Sequence, residues 1–527
     1  MNQSSSKTVK SIKGIVTTPH PLATKSALKI LEKGGSAIDA AIAANATLAV
    51  LLPDQCGLGG DLFALIYDPD DLVSKRIKVL NGSGNAPNKL NIAYLKKLGY
   101  KSMPQNGPHS ITVPGAVQAW GELSKKYGLL AWDALFEDAY EYASLGFKIN
   151  HQLANNIKCH ASSLIESDAN YFLCPNGIPL KTNDILIQTN LANTLISIME
   201  NGWQEFYKGS ISFEICEKVK SLGGMLEKND FIDYKSEWVE PISTTYRNYE
   251  IYTAPPNSPG IILLSALDKL KSKKLDNIRY QSKEFIFLLV EIFREVLDQY
   301  RGNLGDPRFD HKEIARSEIN LPQKKLTKSE IGLKGDTIAL SVLDKNGLGV
   351  SLIQSVYHDF GSGVFVEPVG IFLQNRGASF SFDKDNKNYL ISGKRPLHTL
   401  MPVIVLKDKK LSMLLGTRGG AGQPQTIAQI LLANIDYGYL PQEAMELPRW
   451  IFGSPTSAKQ TKGLILESRI SKDIGEYLEG TGISVQFTDP FSVSWMGCAQ
   501  MIRVDCDNTY LGGADPRGGG LVESLFE

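Results

Sequence analysis

The stretch AIDAAIAANATLAVLL at 37–52 carries alanine or apolar side chains on nearly every face of the helix it would form. A helix without a polar stripe cannot lie on a surface, so this one demands further layers packed around it. Its start is marked in the sequence. Gly34-Gly35 breaks the preceding helical pattern PLATKSALKILEK, and Ser36 with Asp39 three residues on forms an N-terminal capping pair. Gly57, Gly59 and Gly60 then make a tight loop into an apolar strand at 62–67.

The chain has 527 residues, 43% hydrophobic and 21% charged, enough for one very large core or several ordinary domains. Lys+Arg and Asp+Glu both number 56, so charge favours neither a nucleic acid nor a membrane as partner, and a small molecule is expected. The opening MNQSSSKTVKSIKG is polar and basic, without the apolar run of a signal peptide, and no later stretch approaches membrane-spanning length. A cytoplasmic location is the expectation. Cys56, Cys159, Cys174, Cys216, Cys498 and Cys506 lack metal-ligand spacing and suggest neither a zinc site nor a disulfide framework; no metal or other cofactor is expected.

From about 110 to 235 the pattern is mostly helical, and FIFLLVEIFREVLDQY continues it after the turn cluster TAPPNSPG. The polar, basic segment 322–335 (PQKKLTKSEIGLKG) reads as a linker. Beyond it the character changes. TIALSVLD and LGVSLIQSVY flank an Asn-Gly turn and predict a hairpin, with further strands at GIFLQN, MPVIVLKD and KLSMLLG. TIAQILLANIDYG predicts a helix, and closing strands are expected near Val485 and Met501. On this reading a sheet begins abruptly at Thr337.

A threonine opening a strand is ordinarily just a β-former. Thr337 differs in following Gly-Asp at the end of a linker, where a chain could cut itself and leave a new N-terminus. The α-amine of such a terminus has a pKa of about 7.7 to 8.0, so one residue supplies both nucleophile and base. That suits a chain with only 7 histidines. The second candidate is GTRGGAG at 416–422, where glycines let backbone N–H groups converge on a substrate oxygen. An ordinary turn remains the alternative, and the Lys-Ser/Thr of a phosphate loop is absent.

Together these segments resemble the γ-glutamyltranspeptidase family over nearly the whole chain. The likeness is carried by PLATKSALKILEKGGSAIDAAIAANATLAV, VPGAVQAW, APPNSPG, LGDPRF, GDTIALSVLDKNG, FGSG, GKRPLHTLMP, Gly419-Gly420, EAMELPRW and GGADPRGGG, in order. The resemblance implies a four-layer αββα N-terminal-nucleophile hydrolase. It further implies a precursor cut between Asp336 and Thr337 into a large subunit, 1–336, and a small one, 337–527, that stay together as one unit. Thr337 matches the nucleophile, Ser355 the hydroxyl that orients its amine, and Gly419 and Gly420 the oxyanion donors.

The family's recognition residues are rewritten. Ser83 stands where the family binds carboxylate with arginine, and Ala378-Ser379-Phe380 where an aspartate grips the α-amine. His398 and Thr399 replace paired serines, Tyr357 an asparagine, and Arg376 a Gln or Glu. These substitutions, with SLIQS and QNRGASF, are similar to the transpeptidase-like and oxamate amidohydrolase branch. The segment between Phe380 and Gly393 looks short for a lid, which predicts a site open to water. Three functions follow: hydrolysis of γ-glutamyl amides such as glutathione, hydrolysis of oxamate-like or other acidic amides, or an inactive binding homologue. Arg376 would hold a substrate carboxylate, unless it is spent in a structural ion pair.

Overall fold

The computed structural model describes residues 8–71, 76–309, 336–453 and 463–525. The linker expected at 322–335 lies outside them. The helix Ala37–Leu51 forms as predicted, and every one of its residues is buried. Ser36 and Asp39 make the reciprocal capping box, and Asp39 Oδ2 also takes the N–H groups of Leu129 and Leu130. One carboxylate thus seals the helix start and ties in the next helical hairpin.

Two seven-stranded antiparallel sheets form the centre. One runs Leu521–Ser524, Gly14–Thr18, Asp336–Asp344, Gly349–Tyr357, Asp61–Tyr67, Ile77–Gly82 and Glu237–Val239. The other runs Val9–Ser11, Tyr510–Ala514, Ala499–Val504, Lys410–Thr417, Val403–Lys407, Tyr249–Thr253 and Ile242–Tyr246. Side chains alternate across each strand, and this alternation produces three cores. Ala339, Leu343 and Ile353 meet Ile404, Leu414 and Ile502 between the sheets. Ile338, Leu340 and Val342 face the outer helices with Ile42, Ala46 and Trp120. Val403, Met413 and Met501 face Leu263, Val290 and Ile427 on the opposite side. The architecture is therefore αββα.

Three expectations need correction. The sheet does not begin at Thr337: Gly14–Thr18 and Asp61–Tyr67 flank the predicted hairpin on either side. Strands from before and after Thr337 are interleaved because the 61–67 segment, apolar on both faces, needs pairing on both edges. The strand at Val485 lies outside the sandwich, pairing parallel to Gly463–Glu467 in a separate three-stranded sheet. GIFLQN contributes only the short strand Ile371–Phe372, paired with Phe365–Val366. The hairpin itself turns through Asp344 to Gly347, with Gly347 at φ 84° and Asp344 N–H donating to Leu348 O. The glycine supplies the left-handed residue this turn needs.

Candidate active site

Thr337 lies on the hairpin's first strand at a bulge. Asp336 pairs with Tyr357 but Ile338 with Gln354, so Ser355 and Val356 together face Thr337. The alternation that sends Ala339 between the sheets sends Thr337 and Ser355 there too. Close approach of the second sheet is set by Gly416, where a Cβ would stand 3.1 Å from that of Ala339. The Lys410–Thr417 strand thereby delivers the glycine turn to the neighbourhood of Thr337.

Ser355 is the hub of a short relay. Thr337 Oγ donates to Ser355 Oγ at 3.1 Å, and Ser355 Oγ donates to the carbonyl oxygen of Asp336 at 2.5 Å. Tyr357 N–H donates to the same hydroxyl at 2.8 Å. A serine oxygen has one proton and two lone pairs, and all three are committed. Tyr357, at φ 83°, occupies a region rare for a bulky residue. The strand Lys410–Thr417 is followed by a turn that carries Gly419 and Gly420, at φ 132° and 53°. Their N–H groups open a 3₁₀ turn, Gly420–Gly422, where no earlier helical carbonyl can take them.

Beside this relay, the predicted recognition residues converge. The Arg376 guanidinium lies 3.8 Å from the Tyr357 ring centre, and its Nη1 donates to Thr399 Oγ at 3.3 Å. Arg376 is 1% exposed, yet Nε and Nη2 have no hydrogen-bond partner among the described residues. No carboxylate among the described residues lies within ion-pair distance of it, so the structural ion pair weighed above is not found. Burial lowers its pKa to about 10, which still leaves it charged at neutral pH.

His398 is buried edge-on against Phe63, with Nε2 3.2 Å from Asp61 Oδ2. Burial first, then the Arg376 and Arg395 charges, push its pKa well down, so the ring is neutral. Asp61 Oδ1 accepts from Gly84 N and Gly115 N at 3.1 and 3.2 Å. Burial pushes its carboxyl up to about 7, against the opposing pull of Arg376.

Two predicted contacts make hydrogen bonds within the fold. Ser379 Oγ donates to Leu397 O at 2.9 Å, so its proton is unavailable to a substrate. Ser83 Oγ accepts from Asn257 Nδ2 at 3.0 Å inside a buried network with Asn81. The predicted openness also fails for the uncut chain, since Thr337 and Ser355 are each 1% exposed. Phe380 and Leu390 bury the short 380–393 segment against Leu90 and Leu95.

Asp61 was missed because a lone aspartate after a glycine loop gives no signal. Arg418 was missed although it sits inside the glycine motif: its Nη2 lies 2.5 Å from Asp336 Oδ1.

A four-layer sandwich with a hydroxyl relay at the head of a central strand defines an N-terminal-nucleophile hydrolase. The chain belongs to the γ-glutamyltranspeptidase family, whose sequence profile matches residues 23–525. It is 36% identical to the glutathione hydrolase-like YwrD proenzyme of Bacillus subtilis (strain 168), covering 98% of this chain and 100% of that one. The oxamate amidohydrolase proenzyme of Klebsiella pneumoniae is 31% identical, with 97% and 98% covered. Among solved structures, the cephalosporin acylase from Bacillus halodurans matches with a TM-score of 0.89 at 31% identity, covering 99% of this chain and 98% of that one. The glutathione hydrolase proenzyme of Bacillus subtilis (strain 168) is 30% identical, with 95% of this chain and 90% of that one covered.

Proposed function

We propose that the chain cuts itself between Asp336 and Thr337 and then hydrolyses small amides whose acyl group ends in a carboxylate. In the cut, Thr337 Oγ attacks the Asp336 carbonyl carbon, the C–N bond breaks as nitrogen gains a proton, and water hydrolyses the resulting ester. Ser355 supports both halves of this step: it receives the hydroxyl of the nucleophile and polarises the carbonyl under attack. The freed α-amine of Thr337 then serves as base for the substrate reaction, with Gly419 and Gly420 N–H groups meeting the oxyanion. Water resolves the acyl-enzyme.

The observation that carries the substrate class is Arg376: a buried guanidinium stacked on Tyr357 with two unpartnered nitrogens. A substrate carboxylate would gain charge-assisted hydrogen bonds there, each worth about 1.5 to 3 kcal/mol. The names of two relatives, an oxamate amidohydrolase and a cephalosporin acylase, support a substrate outside the γ-glutamyl series.

A second reading rests on Asp61. Its buried Oδ2 stands in the same pocket and could receive the α-ammonium that position 379 no longer serves, which would restore γ-glutamyl specificity. Against it, burial keeps this carboxyl largely protonated below pH 7, where it makes a weak ammonium partner. Glutaryl-p-nitroanilide and γ-glutamyl-p-nitroanilide differ only in the α-amine, so they separate the two. Faster hydrolysis of the glutaryl compound by processed protein is expected; a clear preference for the γ-glutamyl compound would reverse the assignment.

A further inference from the structure

Asp336, the residue before the proposed cut, has its side chain buried among charged and amide groups. Arg418 Nη2 lies 2.5 Å from its Oδ1, and Asn156 Nδ2 lies 3.3 Å from its Oδ2. The same Asn156 amide donates to Asp54 Oδ2 at 2.6 Å, and Arg418 Nη1 donates to Gln55 Oε1 at 3.0 Å. Burial first, and then the nearby Asp336 charge, push the Asp359 carboxyl up. Remaining titratable neighbours are His160, whose Nε2 is 3.7 Å from Asp359 Oδ2, and His358, which burial holds down to about 4.

None of these groups is needed by the acyl-transfer relay. What they do hold is the residue whose carbonyl oxygen accepts from Ser355. We propose that Arg418 and Asn156 form a processing clamp on the Asp336 side chain, fixing the scissile carbonyl on Ser355 until the bond is cut. The proposal rests on the self-cleavage reading above.

The clamp also gives the cut a direction. Hydrolysis consumes one water and leaves Asp336 with a second carboxylate, its own new C-terminus. One guanidinium then faces both charges of Asp336 beside the buried Asp54 carboxyl. Like charges in a buried site repel strongly, so the terminus is driven out and re-ligation is disfavoured. Before the cut, Asp336 presents only its side-chain carboxylate to the same guanidinium.

The test is the rate at which purified full-length chain converts to two fragments, followed by intact mass for the wild type and for folded variants. Asp336→Asn and Arg418→Met should each slow conversion roughly 10- to 100-fold, the range expected for losing a charge-assisted hydrogen bond. The double variant should be about as slow as the slower single one, because both changes remove one interaction. It also leaves no unpaired buried charge, which guards against a folding failure of Arg418→Met alone. Wild-type conversion by Asp336→Asn, or by the double variant, would overturn the clamp. A wild-type chain that never cuts, or a Thr337→Ala chain that does, would instead defeat the self-cleavage reading beneath it.

Discussion

The hydroxyl of Ser355 donates to the carbonyl oxygen of Asp336 at 2.5 Å, on the peptide bond that precedes Thr337. Because Thr337 donates to the same hydroxyl, the proposed nucleophile and its proposed target carbonyl are joined through one side chain across the hairpin bulge. After a cut, that side chain would lose its carbonyl acceptor and gain a new amine as neighbour. The same hydroxyl would therefore act in two successive reactions.

Thr337→Ala should remain a single chain without amidase activity, as read by intact mass and p-nitroaniline release. Ser355→Ala should still fold but cut at least about 10-fold more slowly, having lost the hydrogen bond to the scissile carbonyl. In whatever fraction is processed, kcat should fall more than KM rises. A rise in KM alone would make Ser355 a substrate contact.

Arg376→Lys keeps a charge but loses the planar fork and much of the stacking on Tyr357. Expected is a drop in kcat/KM of roughly 10- to 100-fold on glutaryl-p-nitroanilide. The uncharged pentanoyl-p-nitroanilide should change little. Equal losses on both would mean that Arg376 shapes the pocket without reading the carboxylate.

Asp61 sets a pH dependence whose sign separates the two substrate readings. Its carboxyl is raised to about 7, so below that pH it is neutral and Arg376 stands uncompensated. Above it, the ionised carboxylate neutralises Arg376 and repels an incoming anion. Inhibition by glutarate should therefore weaken as pH rises through 7, by up to about tenfold per unit if one proton is linked to binding. Asp61→Asn should flatten the profile. A ligand bearing an α-ammonium would show the opposite slope, tightening as Asp61 ionises.

Asn45 is a buried polar residue midway along the alanine-rich helix Ala37–Leu51, and it reaches the strand that carries Ser355. It accepts from Trp120 Nε1 at 2.7 Å and donates to Gln354 Oε1 at 3.0 Å. Asn45→Leu would strand both partners in the core, at about 1 to 3 kcal/mol for each unsatisfied group. Urea denaturation should show a loss of about 2 to 5 kcal/mol. A neutral effect would mean that Trp120 and Gln354 find other partners.

What could be read along the chain was what depends on neighbours in sequence. The helix Ala37–Leu51 follows from its composition and its Ser36/Asp39 cap, and the hairpin from strand formers around a glycine turn. Thr337 was legible as a candidate nucleophile because strand, linker and family motif all meet at one residue. Arg376 was legible as a candidate carboxylate ligand only through its resemblance to a known position. The structure adds that two of its nitrogens are buried without partners among the described residues.

Other features needed the tertiary fold. Ser379, in the sequence a substrate contact, spends its proton on Leu397 O, a bond no spacing rule anticipates. Asp61, Arg376 and His398 come from three distant segments, as do Asp54, Asp336 and Arg418. Their charges acquire meaning only when sheet pairing brings them into one water-poor space. There, desolvation raises the Asp61 carboxyl to about 7 and holds the His398 ring neutral. The sequence determined which groups were present and singled out Thr337 as the candidate nucleophile. The interleaved sheets decided which of those groups share a low-dielectric pocket, because burial and proximity are properties of packing and not of order along the chain.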